Sequence, residues 1–153
     1  MNKCYTENMI TTDFLQFIGS ATSPYHVVNN CAEKLFENGF EELNFNEYWE
    51  LLPGHSYYTK PYGTTLFAFR IGKELSDAPI FRIVASHTDH PGFRIKPNPE
   101  LREKDYLKLN TETYGGAILN TWLDRPLSIA GKITLKSEHL FSPKTQIVDF
   151  HAH

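Results

Sequence analysis

The spacing of hydrophobic residues changes along the chain from a helical pattern to a strand-like one. Two early segments, 11–19 and 23–38, carry apolar residues at helical spacing and are predicted to be helices. The second segment also has clear end signals, because Ser23 suits the N-cap, Pro24 the first helical position, and Gly39 the residue after the last turn. We therefore expect two helices at the start of the chain.

Strand-like runs follow these helices. Ser56–Lys60 and Thr64–Ile71 flank a Pro-Tyr-Gly turn, which predicts an antiparallel hairpin and therefore a mixed sheet. Residues 79–85 are almost continuously apolar, which is typical of a strand covered on both faces of a sheet. Functional residues in open α/β sheets often follow the carboxyl ends of such strands.

Beyond Lys96 the pattern changes again. Pro97-Asn98-Pro99 interrupts an alternating stretch, and we predict a domain boundary there, between residues 1–96 and 97–153. The predicted fold class is α/β, with a mixed sheet flanked by helices followed by a mostly β second part. The short strands expected in that second part are Tyr106–Leu109, Ala117–Trp122, Leu127–Leu135 and Gln146–Phe150.

Composition and charge narrow the class of protein. The 153 residues are 41% hydrophobic and 22% charged, which is typical of a globular domain. The net charge of −3, without a basic block, argues against a nucleic-acid partner, and no apolar run approaches the ~20 residues of a membrane span. The N-terminus has no apolar signal core, so we expect Cys4 and Cys31 to be free thiols in a cytoplasmic protein.

His87 and Asp89 are the main candidates for chemistry because they follow the predicted buried strand. A neutral histidine is a common zinc ligand, and its second ring nitrogen usually donates to a carboxylate. Two residues apart in a strand, the two side chains would share one face. The alternative is a strand-end turn, in which Asp89 accepts bonds from backbone amides and His87 is merely half-buried. Zinc needs three or four protein ligands, so this pair alone does not define a metal site.

The other polar candidates are interpreted as structural. Asp124 could be half of a metal site, and Glu41-Glu42 resembles the paired glutamates of some zinc peptidases, but a structural interpretation is preferred for each. Asp124-Arg125 is interpreted as an ion pair at a bend and Glu41-Glu42 as a solvated turn. The histidines are interpreted as a neutral structural residue in the first turn of a helix (His26), a solvated loop residue (His55) and part of a frayed chain end (His151-Ala152-His153).

Four blocks of sequence, in order, resemble the aspartyl-aminopeptidase family of dinuclear zinc metallopeptidases. The most specific block is Tyr114–Leu127, which reads YGGAILNTWLDRPL. The other three are Ser23–Val28 at a helix entry, Ala85–Pro91 around the candidate pair, and Arg94–Pro97 after it. The chain is similar to the N-terminal part of that family over nearly its whole length.

This resemblance implies a zinc-dependent aminopeptidase that releases single, typically acidic, residues from peptide N-termini. Complete members use two zinc ions. His87 matches the histidine that binds one zinc, and Asp89 matches the aspartate that orients the site. Residues 1–96 correspond to the N-terminal part of the peptidase domain. Residues 97–153 correspond to the beginning of an inserted β-rich domain that drives homo-oligomerisation, which makes Asp124 structural.

The family pattern continues beyond the last residue of this chain. The general base and most metal ligands of the family would lie after residue 153, so we expect the chain to be truncated and inactive alone. The alternative is a non-catalytic fragment that acts as a self-association module, in which residues 97–153 bind like subunits.

Overall fold

The computed structural model describes residues 3–74, 79–138 and 141–150, with side chains described from Met9 onward. The chain divides into two compact units. One contains the described residues up to Thr88 and from Ser128 onward, and the other is Asp89–Leu127. The elements in chain order are α1 (Lys3–Ser20), α2 (Pro24–Glu37), β1 (Glu41–Glu42), β2 (Ser56–Thr59), β3 (Phe67–Arg70), β4 (Gly92–Glu103), β5 (Tyr106–Tyr114), β6 (Ile129–Leu135) and β7 (Lys144–Phe150), with short 3₁₀ turns at Pro61–Gly63 and Leu119–Thr121.

The two predicted helices are confirmed. α1 includes the predicted segment 11–19 and is longer, and α2 has the predicted ends. Ser23 has the extended backbone of an N-cap (φ −150°, ψ 165°), and Gly39 has a positive φ of 79°, a conformation that favours glycine. The Ser23 hydroxyl does not cap the helix backbone but lies 2.7 Å from His26 Nδ1, which fits the structural role expected for this histidine.

The predicted hairpin is confirmed as β2 and β3, which pair antiparallel with Tyr57 opposite Phe69. β1 pairs parallel with β2, so the sheet is mixed, as expected. The buried apolar residues of this unit come from α2 and β2. They are Val28, Ala32, Tyr57 and Tyr58. The core of the described chain is therefore small and lies where α2 meets the three-stranded sheet.

The prediction of a turn at Glu41-Glu42 is wrong, although both side chains are exposed as expected. The two glutamates form β1 because their backbone pairs with Tyr57 and Tyr58. The Tyr58 hydroxyl donates to Glu42 Oε2 at 3.0 Å, and Lys60 Nζ lies 3.2 Å from the same oxygen. These contacts give Glu42 a structural role at the edge of the sheet.

The prediction of a buried strand at residues 79–85 is also wrong for this chain. No strand is formed there, and these residues pair with none of the strands that the structure describes. The large apolar side chains of Ile80, Phe81, Ile83 and Val84 are 77–98% exposed. The physical reason is the lack of neighbours, because a strand is stable only when adjacent strands satisfy its backbone groups.

The second unit, Asp89–Leu127, is built on the antiparallel pair of β4 and β5. Pro97-Asn98-Pro99 lies inside β4, where the pairing register shifts between Ile95 and Glu100. Asn98 has a positive φ of 59°, as expected at an irregularity of this kind. The prolines therefore mark a bulge rather than a linker at this point, and the domain division at residue 97 stays a prediction.

Tyr106–Leu109 is confirmed as part of β5, but Ala117–Trp122 is not a strand. A 3₁₀ turn forms instead, and the Thr121 hydroxyl donates to the Ile118 carbonyl at 2.7 Å. A threonine side chain that bonds the backbone three residues earlier competes with strand pairing, which explains the difference.

The predicted strands near the C-terminus are confirmed as the antiparallel pair of β6 and β7. This pair belongs to the first unit. The Thr22 hydroxyl, between the two helices, donates to Asp149 Oδ2 in β7 at 2.7 Å. Lys132 in β6 has its ammonium 5.5 Å from the centre of the Tyr25 ring. Both contacts attach the hairpin to the helices.

Two further expectations concern thiols and membranes. Cys31 is a free, half-buried thiol whose pKa is raised by burial, and Lys34 partly offsets this rise. The side chain of Cys4 lies outside the described residues, as do His151, Ala152 and His153. Across the described part of the chain, no helix has both the length and the apolar character needed to cross a bilayer.

Candidate functional site

His87 lies at the end of the exposed apolar run 79–86, and its side chain is exposed. The next residue fixes this end of the run to the first unit, because the Thr88 hydroxyl donates to the Thr64 carbonyl at 2.9 Å. Thr64 lies in the connection between β2 and β3, three residues before β3 begins. His87 therefore directly precedes a residue that is bonded to this connection, and it is not itself part of the sheet.

Asp89 begins the second unit and is half-buried. The Tyr114 hydroxyl, at the end of β5, donates to Asp89 Oδ2. The guanidinium carbon of Arg94 lies 4.3 Å from the centre of the Tyr114 ring, which is a close cation–π contact. Asp89, Tyr114 and Arg94 thus form one connected cluster within this unit.

The strand register and the turns at its ends position this cluster. β4 begins at Gly92, which is paired with Tyr114 in β5, and Arg94 follows two residues later. Gly115 then has a positive φ of 71°, and a Cβ there would come within 3.4 Å of Pro91 Cα. The positive φ favours glycine at this turn beside Pro91, and the turn directly follows Tyr114, which contacts Asp89.

The contact with Asp89 changes the acidity of the tyrosine. The hydrogen bond to Asp89 is the main cause that raises the pKa of the Tyr114 phenol above its usual 10.0, and the negative charge of Asp89 adds to it. Arg94 acts in the opposite direction. The phenol therefore keeps its proton and remains a donor, which holds the Asp89 carboxylate in one orientation.

Trp122 packs close to the same strand. Its ring meets Phe93 edge-on, with ring centres 5.4 Å apart and planes at 85°. A Cβ on Gly92 would lie 3.4 Å from the far edge of the Trp122 ring. The tryptophan of the Tyr114–Leu127 block is thus a packing residue for the start of β4.

Analysis of the sequence missed the roles of Tyr114 and Arg94. Tyr114 lies 25 residues from Asp89, and only the β4–β5 register brings it close. The β4–β5 register cannot be deduced from the local sequence, because the bulge at residues 96–99 shifts the pairing of the two strands. The available signal was the Gly115-Gly116 pair, because glycines beside a strand can mark a close approach of the backbone.

The expected arrangement of His87 and Asp89 on one face of a strand is not found. Residues 79–88 form no strand, and the boundary between the two compact units falls between Thr88 and Asp89. The two residues therefore belong to different units, and each is placed by its own surroundings.

The described residues do not fit a zinc ion by themselves. Among residues 3–74, 79–138 and 141–150, no group of three or more His, Cys, Asp or Glu side chains could hold a metal. A stable zinc site needs three or four protein ligands. His87 can supply one of them at most, so no catalytic step can be derived from this chain through a bound metal.

Asp124 has a positive φ of 53° at a bend, so the predicted bend is confirmed. The predicted ion pair is wrong, because no salt bridge joins Asp124 and Arg125 in the described structure. The left-handed backbone of Asp124, rather than an ion pair, fits the tight turn before Pro126.

One shallow groove, of about 540 Å³, lies at the end of β2. It is lined by Glu42–Asn46 and Thr59–Tyr62, and it includes neither His87 nor Asp89. This groove is therefore not the place where the candidate residues lie.

Comparison with known proteins supplies the family. The model of a family described as aminopeptidase I zinc metalloprotease (M18) matches residues 17–150. A probable M18 family aminopeptidase 2 of Clostridium acetobutylicum is 45% identical over 136 residues, covering 88% of this chain and 31% of the relative. Aspartyl aminopeptidase 1 of Schizosaccharomyces pombe is 38% identical over 135 residues, covering 87% and 28%.

The solved structure of the S. cerevisiae mApe1 dodecamer is similar in fold. It has a TM-score of 0.76 and 30% identity, covering 92% of this chain and 33% of that one. The chain thus spans about a third of the length of the curated relatives it matches. The α/β fold expected from the sequence is confirmed as that of the matching part of these larger proteins.

Proposed function

Because the chain belongs to the M18 family of zinc metalloproteases, we propose that it is part of a zinc-dependent aminopeptidase that removes N-terminal residues from peptides. The observation that carries this proposal is the family match over residues 17–150. Acidic N-terminal residues are the proposed substrates, and the name of the S. pombe relative, aspartyl aminopeptidase, supports that preference.

In this proposal His87 supplies one zinc ligand and Asp89 is the positioning residue for the site. Zinc is the cofactor, and two ions are proposed for the complete enzyme. The remaining ligands come from polypeptide other than the described residues, because these contain no sufficient group of donors. Tyr114 orients Asp89 by its hydrogen bond, and Arg94 packs on the ring of Tyr114.

The proposed domain organisation follows from the same family. Residues 1–96 form the N-terminal part of the peptidase domain, and residues 97–153 begin an inserted, β-rich oligomerisation domain. We propose that the complete protein is a cytoplasmic homo-oligomer, and the dodecameric mApe1 neighbour supports the homo-oligomer.

A chimaera tests the function most directly. It would join this chain to the part of the C. acetobutylicum relative that follows the matched region. We expect the chimaera to hold zinc and to release Asp or Glu from chromogenic peptides faster than Leu or Ala. His87→Ala should abolish turnover and lower the zinc content by removing a ligand.

The matched control is His55→Ala, which removes an exposed loop histidine from the same unit. This variant should keep both zinc and turnover. If His87→Ala kept near-normal turnover, the assignment of His87 would be wrong. If the active chimaera preferred Leu or Ala, the acidic substrate class would be wrong while the aminopeptidase function would remain.

A second candidate function is self-association without catalysis. The β4–β5 pair exposes apolar side chains, among which Leu107 is 68% and Tyr106 71% exposed. In this case the chain would form oligomers in sedimentation experiments, and the oligomers would survive a chelator and His87→Ala. A chain that remains monomeric at all accessible concentrations would contradict this alternative.

A further inference from the structure

The shallow groove at the end of β2 lies where two parallel strands end side by side. β1 and β2 are parallel neighbours, and Glu42 and Thr59 are their last residues. These two residues and the segments that follow them, up to Asn46 and Tyr62, line the groove, and all of them belong to the first unit. Small molecules bind α/β sheets in crevices just outside the carboxyl ends of the strands. The volume of about 540 Å³ also suits a small molecule.

A carboxylate and an ammonium group lie side by side in this groove. Lys60 Nζ is 3.2 Å from Glu42 Oε2, and the two side chains are 29% and 47% exposed. The buried Tyr58 holds the carboxylate in place, because its hydroxyl donates to the same oxygen at 3.0 Å. Within the described residues, Glu42 Oε1 accepts no hydrogen bond. The pair therefore presents a negative and a positive group to a ligand that carries both charges.

Two exposed aromatic rings line the same groove. Phe45 and Tyr62 are 52% and 84% exposed, and their ring centres are 6.3 Å apart with planes at 57°. Tyr62 has a positive φ of 63°, which is strained for a bulky residue, and such strain is often retained at binding sites. Aromatic faces pack well against apolar side chains. A ligand that fits this groove therefore has an apolar side chain beside its two charges.

The hydroxyl of Thr59 is an independent sign that a partner is missing. Thr59 is 2% exposed and lines the groove at the end of β2. In the described part of the chain its Oγ1 makes no hydrogen bond. Buried polar atoms in folded proteins are usually paired, so an orphan beside a groove points to a ligand as its partner.

We propose that this groove binds a free α-amino acid with an apolar side chain. Glu42 pairs with the ammonium group of the ligand and Lys60 with its carboxylate. The apolar side chain packs on the rings of Phe45 and Tyr62. Because the Thr59 hydroxyl is closed to water in the free chain, the groove widens around the ligand until a ligand oxygen bonds this hydroxyl.

The spacing of the charges selects a free amino acid over a peptide. The ammonium and carboxylate groups of an α-amino acid flank one carbon atom, so they lie close together, as the charges of Lys60 and Glu42 do. In a peptide at least one further residue separates the two termini. Among the described residues that line the groove, Lys60 is the one basic side chain, so an acidic ligand side chain is not favoured. The site therefore differs from the proposed acidic substrate site and does not rest on the proposed function.

Four small probes test the class of ligand without any zinc chemistry. Each probe is added to the 153-residue chain, and the amide chemical shifts are followed by NMR. The probes are L-phenylalanine, 3-phenylpropionate without an ammonium group, phenethylamine without a carboxylate, and glycine without a side chain. We expect saturable shifts at the amides of the groove with phenylalanine, and a Kd at least tenfold higher for each of the other three.

Substitutions in two grooves provide the variants and their control. Lys60→Gln should raise the Kd for phenylalanine at least tenfold and leave that for phenethylamine unchanged, because phenethylamine has no carboxylate. Tyr62→Ala should weaken phenylalanine but not glycine, and Thr59→Val should weaken phenylalanine without lowering the melting temperature. The matched control is Lys34→Gln, which removes an exposed lysine from the groove between α2 and β3 in the same unit. It should change no Kd.

The same titrations contain the results that would overturn the proposal. The site would be refuted if phenylalanine gave no saturable shift at the groove up to its solubility limit. Equal binding of phenylalanine and 3-phenylpropionate would contradict the pairing of Glu42 with an ammonium group. Equal losses in Lys60→Gln and Lys34→Gln would show a general effect of charge instead of a site. Amide shifts outside the groove that match those of the wild type would establish that each variant is folded.

Discussion

The core formed by α2 and the β2–β3 hairpin contrasts with the apolar run 79–86. Both regions are rich in apolar residues that are typical of buried structure. Val28 and Tyr57 in the core are 0% and 2% exposed, whereas Val84 in the run is 98% exposed. Both regions are apolar, but within the part of the chain that the structure describes only the first is buried.

The difference shows that an apolar pattern indicates that a segment favours burial, whereas actual burial depends on the elements that pack against it. Tyr57 is buried because β3 lies opposite it and places Phe69 with ring centres 5.7 Å away. Residues 79–86 have no such strand in the described chain, so their pattern remains unsatisfied. The contrast between the two regions can be tested by substitutions in each.

Tyr57→Ala should have the largest effect on stability. The side chain is buried, packs between aromatic rings, and accepts a bond from the Leu52 amide at 3.0 Å. We expect the free energy of unfolding to fall by about 3–5 kcal/mol, measured by urea unfolding. Tyr48→Ala is the control, because Tyr48 is fully exposed. A small effect of Tyr57→Ala would mean that the core is not packed as described.

A pair of identical substitutions compares the two regions directly. Val28→Ala should cost about 1.5–3 kcal/mol of unfolding free energy because Val28 is fully buried. Val84→Ala should change it by less than about 0.5 kcal/mol in the free chain. Urea unfolding of both variants checks this, and similar costs would show that the run 79–86 is buried in solution.

Tyr58→Phe should have a moderate effect at the edge of the core. The substitution removes the hydroxyl that donates to Glu42 Oε2 and leaves Lys60 as a neighbour of that carboxylate. We expect a loss of about 1 kcal/mol, because a hydrogen bond to a charged but solvated group contributes modestly. Thermal unfolding of the wild type, Tyr58→Phe and Glu42→Gln would measure it. Full stability of Tyr58→Phe would contradict a structural role for Glu42.

The smallest expected effect concerns Asp89, whose position is held by contacts within its own unit. Asp89 raises the pKa of Tyr114, so the protonated phenol is favoured in the folded chain. The hydrogen bond between Tyr114 and Asp89 contributes fully to stability below the ordinary tyrosine pKa of 10.0. This contribution is lost as the pH rises through the raised pKa of Tyr114. Asp89→Asn should lower the Tyr114 pKa, as followed by ultraviolet titration, with Tyr114→Phe identifying the signal.

A Tyr114 pKa that does not change in Asp89→Asn would show that the two side chains do not interact in solution. The candidate site would then lose the hydrogen bond by which Tyr114 orients Asp89. The titration therefore tests the Asp89–Tyr114 contact by itself, separately from the binding of zinc.

Local signals in the sequence were sufficient for the elements that depend on nearby residues. α2 has Ser23, Pro24 and Gly39 at its ends, and the structure has each in its expected place. The β2–β3 hairpin is short-range, so its two strands and their turn were all visible in one stretch. Such elements need no information from distant parts of the chain.

Longer-range features could not be predicted in the same way. The burial of residues 79–85 depends on neighbours that the described chain does not contain, and the contact of Tyr114 with Asp89 depends on the register of a bulged strand pair. The end of the predicted strand pointed to His87 and Asp89, and the resemblance to a family then implied a role for each. Neither signal showed that the described residues bring too few donors together for zinc.

In the proposed function, this chain supplies only part of an M18 zinc site. The zinc content of the 153-residue chain, measured together with its hydrolysis of aspartyl and glutamyl chromogenic peptides, tests this proposal. We expect neither stoichiometric zinc nor turnover in the chain alone, and both in the chimaera with the rest of the relative. Stoichiometric zinc and turnover by the chain alone would contradict the proposal.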